Sequence, residues 1–342
     1  MVVAPCGRAR CSEPEREPLP RVVTYYRQRV GAGLIVSEAT HVSLSTVSRP
    51  GGPGIHDASQ VVAWRKVTDA VHTDGGRIFQ QLFHLGRKAL PARLAGGRVP
   101  LAPSAIAAQA TIPTPAGPRP FPVPKAATLG EVATLIDEFA IAIANSRRAG
   151  FDGVEIHGAH GYLIDQFLRD STNRRDDLYG GSIANRARFL LEVVDRAIAT
   201  FGAGRVGVRV SPHFLLDGIS DSDPAALYGH VAAELGRRGI AYLHLVEPAN
   251  IPVDQRLAVH LRTAFGGPLI LCGELTRELA ETALEEGRAD LVSFGRLFIA
   301  NPDLPERFRR GAGLNDLDPS TLYNGDDRGY IDYPIFQAAT TR

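Results

Sequence analysis

Short apolar runs alternate along the chain with longer segments in which apolar residues recur every three or four positions. Eight of these runs are rich in Val, Ile and Leu and show no alternation with polar residues. This pattern is typical of strands that are buried on both faces of a parallel sheet. The predicted strands are Val2–Ala4, Leu34–Ser37, Arg77–Leu82, Gly153–Ile156, Val206–Val210, Tyr242–Val246, Leu269–Leu271 and Leu291–Phe294.

The segments between these strands carry the periodicity of amphipathic helices. Two have clear starts, because Asp223 can cap a helix that opens at Pro224 and Asn301 can cap one that opens at Pro302. Eight strands alternating with helices predict an α/β fold, a single-domain (β/α)8 TIM barrel that spans residues 1–342. A doubly wound sheet is the alternative, but phosphate-binding glycines would normally follow its first strand, and Ala4-Pro5-Cys6-Gly7 lacks that pattern. The predicted helices include Asp57–Thr73, Leu129–Ala149, Ile183–Ala199, Pro224–Arg238 and Thr276–Glu285.

Residues 85–125 interrupt the alternation after the third predicted strand. The segment is rich in Pro, Gly and Ala, and structureless loops of this length are uncommon in compact domains. Because the residues that follow barrel strands build the active site, we expect an ordered excursion that forms a lid or wall there. A flexible insertion without a role is the alternative.

Composition and charge exclude several classes of function. The chain has 38 Lys and Arg against 37 Asp and Glu, a net charge of +1. It has no basic excess for nucleic acid or a membrane surface, which favours a small-molecule partner. Three irregularly spaced cysteines argue against a disulfide framework. No secretory signal and no apolar run long enough to span a bilayer are evident, so we expect a cytoplasmic protein.

Glycines and polar residues follow several predicted strands, where a barrel places its site. After the last two strands come Gly273-Glu274 and Gly295-Arg296. Glycine lets backbone N–H groups approach a phosphate, and a guanidinium adds charge and a fork of donors. These residues predict a phosphate site, although ordinary turn glycines would give the same pattern.

The fourth predicted strand is followed by a cluster of histidines and a tyrosine. His157 and His160 could direct two N–H donors at one oxygen, in the manner of an oxyanion hole, and Tyr162 could act as a general acid. Structural histidines and half a zinc site are the alternatives; the chain has neither HExxH nor CxxC, so no metal is expected. Arg209 lies inside a buried strand, which is costly unless an anionic group pairs with it.

The other histidines carry less information. His84 lies beside the end of the third strand and could face the site. The rest are expected on loops or helix surfaces: His41, His56, His72, His213, His230, His244 and His260.

Several stretches of the chain resemble the Old Yellow Enzyme family of FMN-dependent ene-reductases. They are GLIVSEAT, GGRIFQQLFHLGR, GFDGVEIHGAHGYLIDQFLRDSTNRRDDLYGGSIANRARFLLEV, GVRVSP, ADLVSFGRLFIANPDL and LYNGDDRGYIDYP. The resemblance covers nearly the whole chain. It implies NAD(P)H-driven reduction of an activated alkene by a ping-pong mechanism, with FMN across the barrel mouth and NADPH favoured over NADH.

The resemblance also implies a role for individual residues. The catalytic set would be His157, His160 and Tyr162, in which the histidines bind the substrate oxygen and the tyrosine donates the proton. Phe83 and Tyr323 would complete the substrate pocket. FMN would be held by Pro5, Ala39, Gln81, Arg209, Gly273, Glu274, Gly295 and Arg296. Within that set Gln81 and Arg209 would meet the pyrimidine edge, and the last four would hold the phosphate.

Four features depart from the family. The chain begins inside the first strand, so we expect a shortened N-terminus and an uncovered barrel bottom, unless Met1 is a misplaced start. Gly7 replaces a side chain that bonds the flavin, Phe83 replaces a Trp, and Glu274 brings a carboxylate to the phosphate site. These changes keep two other functions open: a flavin-dependent oxidase or isomerase of a specialised metabolite, and a flavin-free ligand-binding homologue. A monomer or a homodimer is expected.

Overall fold

The computed structural model describes residues 1–47, 50–112, 117–248 and 250–337. Eight parallel strands form a closed barrel, because β1 pairs with both β2 and β8 while β2 also pairs with β3. This confirms the predicted TIM barrel, and the strand ends differ from the predicted ends by two residues at most. The strands are β1 Val2–Val3, β2 Leu34–Val36, β3 Ile78–Phe83, β4 Gly153–Gly158, β5 Val206–Val210, β6 Tyr242–Val246, β7 Leu269–Cys272 and β8 Leu291–Phe294.

Helices surround the barrel, and the longer ones have capping side chains. The Asp223 side chain accepts a hydrogen bond from the backbone N–H of Ala226 at 2.9 Å, which confirms the predicted start at Pro224. The predicted start at Pro302 is wrong, because that helix begins at Leu304 and the Asn301 side chain bonds the backbone N–H of Asn315 instead. Among the described helices none is long and apolar enough to cross a membrane. The helices are α1 Pro20–Arg27, α2 Ala58–Thr73, α3 Leu129–Arg148, α4 Leu163–Leu168, α5 Ile183–Phe201, α6 Pro224–Arg237, α7 Ala258–Phe265, α8 Arg277–Glu285, α9 Arg296–Ala300 and α10 Leu304–Arg310.

The apolar core of the described residues has three parts, one of which groups Phe83 at the end of β3 with Leu85, Ala89 and Leu94 of the excursion. The other two differ in size and place. The larger lies between the barrel and the helices. The smaller lies inside the barrel, where the rings of Phe79 and Tyr242 meet with centroids 5.9 Å apart. Gly153 and Gly207 make room for these rings, because a Cβ added to either glycine would lie within 2.5 Å of Phe79 or Tyr242. This filling leaves polar side chains to form the next layer, toward the carboxyl ends of the strands.

The excursion after β3 is ordered in its described parts. It contains the short helical turns Gly86–Lys88, Pro91–Arg93 and Ala95–Gly97. Two small sheets follow: Leu101–Ala102 pairs with Lys125–Ala126, and Thr111–Ile112 pairs with Arg119–Pro120. Residues 113–116 of this predicted excursion lie outside the described residues. The described parts line a cavity at the barrel mouth, so the predicted wall is confirmed and a role-free insertion is not supported.

A buried arginine fastens the C-terminal segment over the barrel mouth. The guanidinium of Arg8 donates to the backbone oxygens of Leu322 at 3.0 Å and Gly329 at 2.8 Å. The carboxylate of Glu38 in turn accepts from the backbone N–H groups of Arg8 and Ala9, at 2.8 and 3.1 Å. The loop after β1, the end of β2 and the C-terminal segment are therefore joined beside the site.

Candidate active site

A large cavity opens at the carboxyl ends of the barrel strands. Its volume is about 860 Å³, within the range of small-molecule sites. We call it the mouth cavity. It brings together most of the predicted site residues: Pro5, Ala39, Gln81, Phe83, His157, His160, Tyr162, Arg209, Arg296 and Tyr323.

A second cavity of about 830 Å³ adjoins the first, and Cys6 and Arg296 line both. We call it the side cavity. Glu274 and Gly295 line it, so three of the four residues predicted for a phosphate are together. Gly273 is not among the described residues that line either cavity. The two spaces together could take an elongated ligand with a ring at the mouth and an anionic end at the side.

The catalytic candidates converge in the mouth cavity. The ring of His157 lies 5.3 Å, centroid to centroid, from both His160 and Tyr162. Phe83 contacts Tyr162 edge to face at 5.3 Å. His157 is the fifth residue of the six-residue strand β4, whereas the sequence predicted it on the following turn. Its position on the sheet makes it the most rigidly placed of the three.

The loop that carries His160 has an unusual backbone, held by buried bonds. His160 has a positive φ of 58°, uncommon for a residue with a side chain. Its backbone N–H donates to Ser211 Oγ at 2.8 Å, and the N–H of Gly161 donates to Asp165 at 2.8 Å. The same carboxylate bonds Arg169 at 2.8 Å inside the protein. These contacts hold the imidazole of His160 at the cavity.

Both histidines are neutral at physiological pH. Burial, together with nearby His160 and Arg209, holds the pKa of His157 well below its usual value. Burial, with Arg209 and Lys88, lowers the pKa of His160 to about 3. The Nδ1 atom of His157 is buried without a partner among the described residues. Neutral imidazoles can donate one hydrogen bond each but carry no spare proton to transfer, which leaves the acid role to Tyr162.

A polar network lies beneath the histidines, inside the barrel. The Gln81 amide donates to Glu155 at 2.7 Å, and the other oxygen of Glu155 lies 2.8 Å from Nδ1 of His244. Nε2 of His244 bonds Ser293 Oγ at 2.8 Å. Burial opposes the charged form of both side chains, but the charge of each one stabilises the charge of the other. As a result the pKa of Glu155 is lowered and that of His244 is raised. The expected loop or helix position of His244 is therefore wrong.

Arg209 lies beside this network with incomplete pairing. Its terminal nitrogen donates to Cys272 Sγ at 3.4 Å, and its Nε is buried with no partner among the described residues. Burial raises the pKa of the Cys272 thiol, but Arg209 and His244 outweigh it and bring that pKa to about 7. A buried cation with a free donor, facing the mouth cavity, suits a ligand edge that carries negative charge.

The predicted phosphate residues show one unexpected pairing. Glu274 has a positive φ of 57°, and its exposed carboxylate lies 3.1 Å from the Arg296 guanidinium. The carboxylate thus points to solvent, but it partly neutralises the cation. A Cβ at Gly295 would lie 2.8 Å from Cys6 Sγ, so glycine permits the close approach of β8 to the loop after β1. A Cβ built at Gly7 would meet no atom of the described residues within 4 Å, so a larger side chain would fit at this position.

Sequence reasoning missed several cavity residues. His41 is buried against Phe83, with ring centroids 4.6 Å apart, although it was expected on a surface or loop. Lys88, Leu90, Arg93 and Phe121 line the cavity from the excursion. Only the excursion's position after β3 could have pointed to them. His84, by contrast, bonds Ser45 and the Gly86 backbone, both at 3.0 Å, and is absent from the described lining.

No metal centre is evident in the part of the chain that the structure describes, since His, Cys, Asp and Glu form no group of three or more arranged to hold an ion. The Cys272 and His244 side chains are instead engaged with Arg209 and Glu155.

Comparisons with known proteins agree with this geometry. The family model for the NADH:flavin oxidoreductase / NADH oxidase family matches residues 1–315. The chain is 41% identical over 345 residues to 12-oxophytodienoate reductase 1 of Oryza sativa subsp. japonica, covering 98% of this chain and 89% of that protein.

Solved structures give the same result. Morphinone reductase in complex with tetrahydroNAD superposes with a TM-score of 0.94 at 43% identity, covering 100% of this chain and 95% of that one. The Old Yellow Enzyme homologue from Zymomonas mobilis gives 0.93 at 42% identity, covering 98% and 95%. The chain therefore belongs to the Old Yellow Enzyme family of FMN-dependent NAD(P)H oxidoreductases.

Proposed function

We propose that this chain is an ene-reductase, which uses NAD(P)H to reduce the C=C bond of α,β-unsaturated carbonyl or nitro compounds. One observation carries the proposal: His157, His160 and Tyr162 converge in a single cavity, above a layer that contains Arg209 and Gln81. The relatives named as reductases of morphinone and 12-oxophytodienoate support the same class of reaction.

The residues present fit FMN. The unpartnered Nε of Arg209 and the Gln81 amide suit the pyrimidine edge of the ring. Backbone groups of Pro5 and Ala39 would line the ring. The side cavity would hold the phosphate at Glu274, Gly295 and Arg296, and Gly273 would act only through the turn that places Glu274. We propose that residues 1–342 form one flavin-binding domain around this site.

Bound FMN would supply the hydride chemistry, taking a hydride from the nicotinamide and passing it to the β-carbon of the alkene. The chain's own residues would orient the substrate and stabilise charge. His157 and His160 would each donate an N–H to the carbonyl or nitro oxygen, where negative charge develops as the β-carbon accepts the hydride. Tyr162 would then give its phenolic proton to the α-carbon.

Both reactants would use the mouth cavity in turn, which gives a ping-pong order. NADPH would bind first and leave oxidised, and the alkene would follow. NADPH carries one phosphate more than NADH, and the cationic side chain of Arg93 on the cavity wall favours that additional charge.

Purified protein tests the proposal directly. It should be yellow, and it should oxidise NADPH when 2-cyclohexenone or maleimide is added, with NADH as the comparison. Tyr162→Phe should leave flavin reduction by NADPH unchanged but slow alkene reduction about 100-fold, the lower range for general-acid catalysis. Full alkene turnover in that variant would remove Tyr162 from its role. Oxygen uptake without enone turnover would instead indicate the oxidase alternative.

A further inference from the structure

Lysine is rare in this chain, and one lysine lies in the candidate site. The 38 basic residues include only three lysines, Lys66, Lys88 and Lys125. Lys66 and Lys125 are exposed, whereas Lys88 is mostly buried and lines the mouth cavity. A chain that uses arginine almost everywhere has a compact ammonium group at this position, which suggests that a planar guanidinium would not serve there.

Lys88 contacts the loop that carries the catalytic candidates. Its Nζ lies 5.0 Å from the centroid of the Tyr162 ring and 5.7 Å from that of Phe214. It also lies 3.5 Å from the backbone oxygen of His160. The ammonium therefore sits between two aromatic rings, at the distance of a cation–π contact with the proposed proton donor.

The ammonium is held in place by an anchored carboxylate. Lys88 forms a half-buried ion pair with Asp217, which has a positive φ of 63°. The backbone oxygen of Asp217 accepts hydrogen bonds from the Arg87 guanidinium at 2.8 Å and from the backbone N–H of Gln109 at 2.9 Å. Residues 87, 88 and 109 belong to the excursion, and Asp217 belongs to the loop after β5. This junction fixes Lys88 over the site.

We propose that Lys88 is a positioning residue whose ammonium stabilises the phenolate that Tyr162 becomes when it gives up its proton. The inference rests on the proposed ene-reductase function. As the α-carbon takes the proton from Tyr162 Oη, the phenol gains a negative charge, which spreads into the ring beside the ammonium. Water then returns a proton to the phenolate. A cation near a developing anion favours the charged form.

Other groups near Tyr162 do not supply this charge. On β4 and its loop, His157 and His160 are held neutral by burial. On α4, the Asp165 carboxylate is already bonded to Arg169 and to Tyr228, both at 2.8 Å. Among the described residues, the charged side chains that line the mouth cavity with Tyr162 are Glu38, Lys88, Arg93, Arg209 and Arg296. Of these, Lys88 has its nitrogen 5.0 Å from the centroid of the Tyr162 ring.

The first experiment separates the two half-reactions in Lys88→Met, Lys88→Arg and the control Lys125→Met, whose lysine forms an exposed ion pair with Glu131. Reduction of the flavin by NADPH should stay within twofold of wild type in all three. Reoxidation by 2-cyclohexenone should slow at least tenfold in Lys88→Met, whereas reoxidation by ferricyanide, which takes no proton from Tyr162, should not.

The pH dependence has a defined sign. Tyr162 donates only when protonated, so alkene reduction declines at high pH. Removing the cation makes the phenol a weaker acid, and the alkaline decline should therefore move to higher pH in Lys88→Met. Lys88→Arg should fall between wild type and Lys88→Met. If Lys88→Met slowed both half-reactions equally and left the pH profile unchanged, Lys88 would only hold the excursion in place, and the proposal would be overturned.

A second readout needs no turnover. In protein labelled with ¹³Cζ-tyrosine, the Tyr162 resonance is assigned from its loss in Tyr162→Phe, and its titration midpoint is followed by NMR. Lys88→Met should raise that midpoint by about one pH unit, a tenfold change in ionisation, and Lys125→Met should not. An unchanged midpoint overturns the proposal. If wild type fails to reduce enones, the ene-reductase function fails while this titration still decides the Lys88–Tyr162 coupling.

Discussion

The carboxylate of Glu155 lies 2.8 Å from Nδ1 of His244, and neither side chain is exposed. The pair joins strands β4 and β6 across the barrel interior. Because Glu155 also accepts the hydrogen bond from Gln81 at 2.7 Å, it connects the buried charge pair to the side chain proposed to meet the flavin. The interior of the barrel therefore sets the orientation of a cofactor-facing amide.

Glu155→Gln should reveal this connection. The substitution keeps the shape of the side chain but removes its charge, so His244 loses its counterion. The Gln81 amide then meets another amide in place of a carboxylate, and its orientation is no longer fixed. We expect the free energy of unfolding in urea to fall by about 3 kcal/mol, as for other broken buried pairs. FMN affinity, measured by flavin fluorescence quenching, should fall at least tenfold.

The same substitution at an exposed pair is the control. Glu281 pairs with Arg277 on the surface of α8, where such pairs contribute about 0–1 kcal/mol. Glu281→Gln should leave FMN affinity unchanged. A Glu155→Gln protein as stable as Glu281→Gln, with wild-type FMN affinity, would contradict the role assigned to the pair.

How much the sequence could predict follows from how local each feature is. The strands and helices come from patterns within a few residues, and the ends of β5, β6 and β8 are as predicted. The chemistry after β4 was visible because His157, His160 and Tyr162 are neighbours in the sequence. These features need no knowledge of distant contacts.

The features that could not be predicted depend on residues far apart in the chain. Glu155 and His244 meet only because β4, β5 and β6 lie side by side in register, and His244 alone has no pattern that reveals its partner. Lys88 meets Asp217 across 129 positions because the excursion folds back over the loop after β5. Periodicity contains no information about such pairings, so the Glu155–His244 and Lys88–Asp217 pairs could be found only from the structure.

Acidification should expose the cost of burying neutral histidines. The pKa of His160 is lowered to about 3, from an ordinary value of 6.5. Between these values the unfolded chain binds a proton at His160 that the folded chain does not. The free energy of unfolding therefore keeps its full value above pH 6.5 and decreases as the pH falls toward 3. At pH 5 the loss from His160 is about 2 kcal/mol.

Urea unfolding at pH 7 and pH 5 measures this loss. His160→Asn should lose less stability on acidification than wild type, and asparagine tolerates the positive φ at this position. His260→Asn, at an exposed histidine on α7, is the matched control and should follow the wild type. Parallel losses in wild type and His160→Asn would mean that His160 takes up its proton in the folded protein too.

Glu274→Asn should strengthen FMN binding. The Glu274 carboxylate pairs with Arg296 at 3.1 Å and would stand beside the phosphate, so its removal frees the cation and removes a repulsion. Both side chains are exposed, and we therefore expect a modest, three- to tenfold lower dissociation constant at low salt. Asparagine suits the positive φ of 57°.

Salt separates this electrostatic explanation from a change of shape. The gain in Glu274→Asn should shrink as the ionic strength rises, because exposed charges are screened. Glu278 also lines the side cavity, but among the described residues it forms no ion pair with Arg296, so Glu278→Gln should change the affinity less. A salt-independent gain, or none, would argue against phosphate binding at Arg296.

Gly207→Ala should disrupt the apolar filling of the barrel. A Cβ at this position would lie 2.2 Å from the ring of Tyr242, and the ring is enclosed by the strands. Overpacking of this kind costs about 1–3 kcal/mol. Urea unfolding should show that loss. Because Tyr242 lies two residues before His244 on β6, FMN affinity should fall as well. Gly204→Ala is the control, since a Cβ there meets nothing within 4 Å, and it should leave both quantities unchanged. If Gly207→Ala were as stable as Gly204→Ala, the barrel interior would have to be looser than the contact between Gly207 and Tyr242 implies.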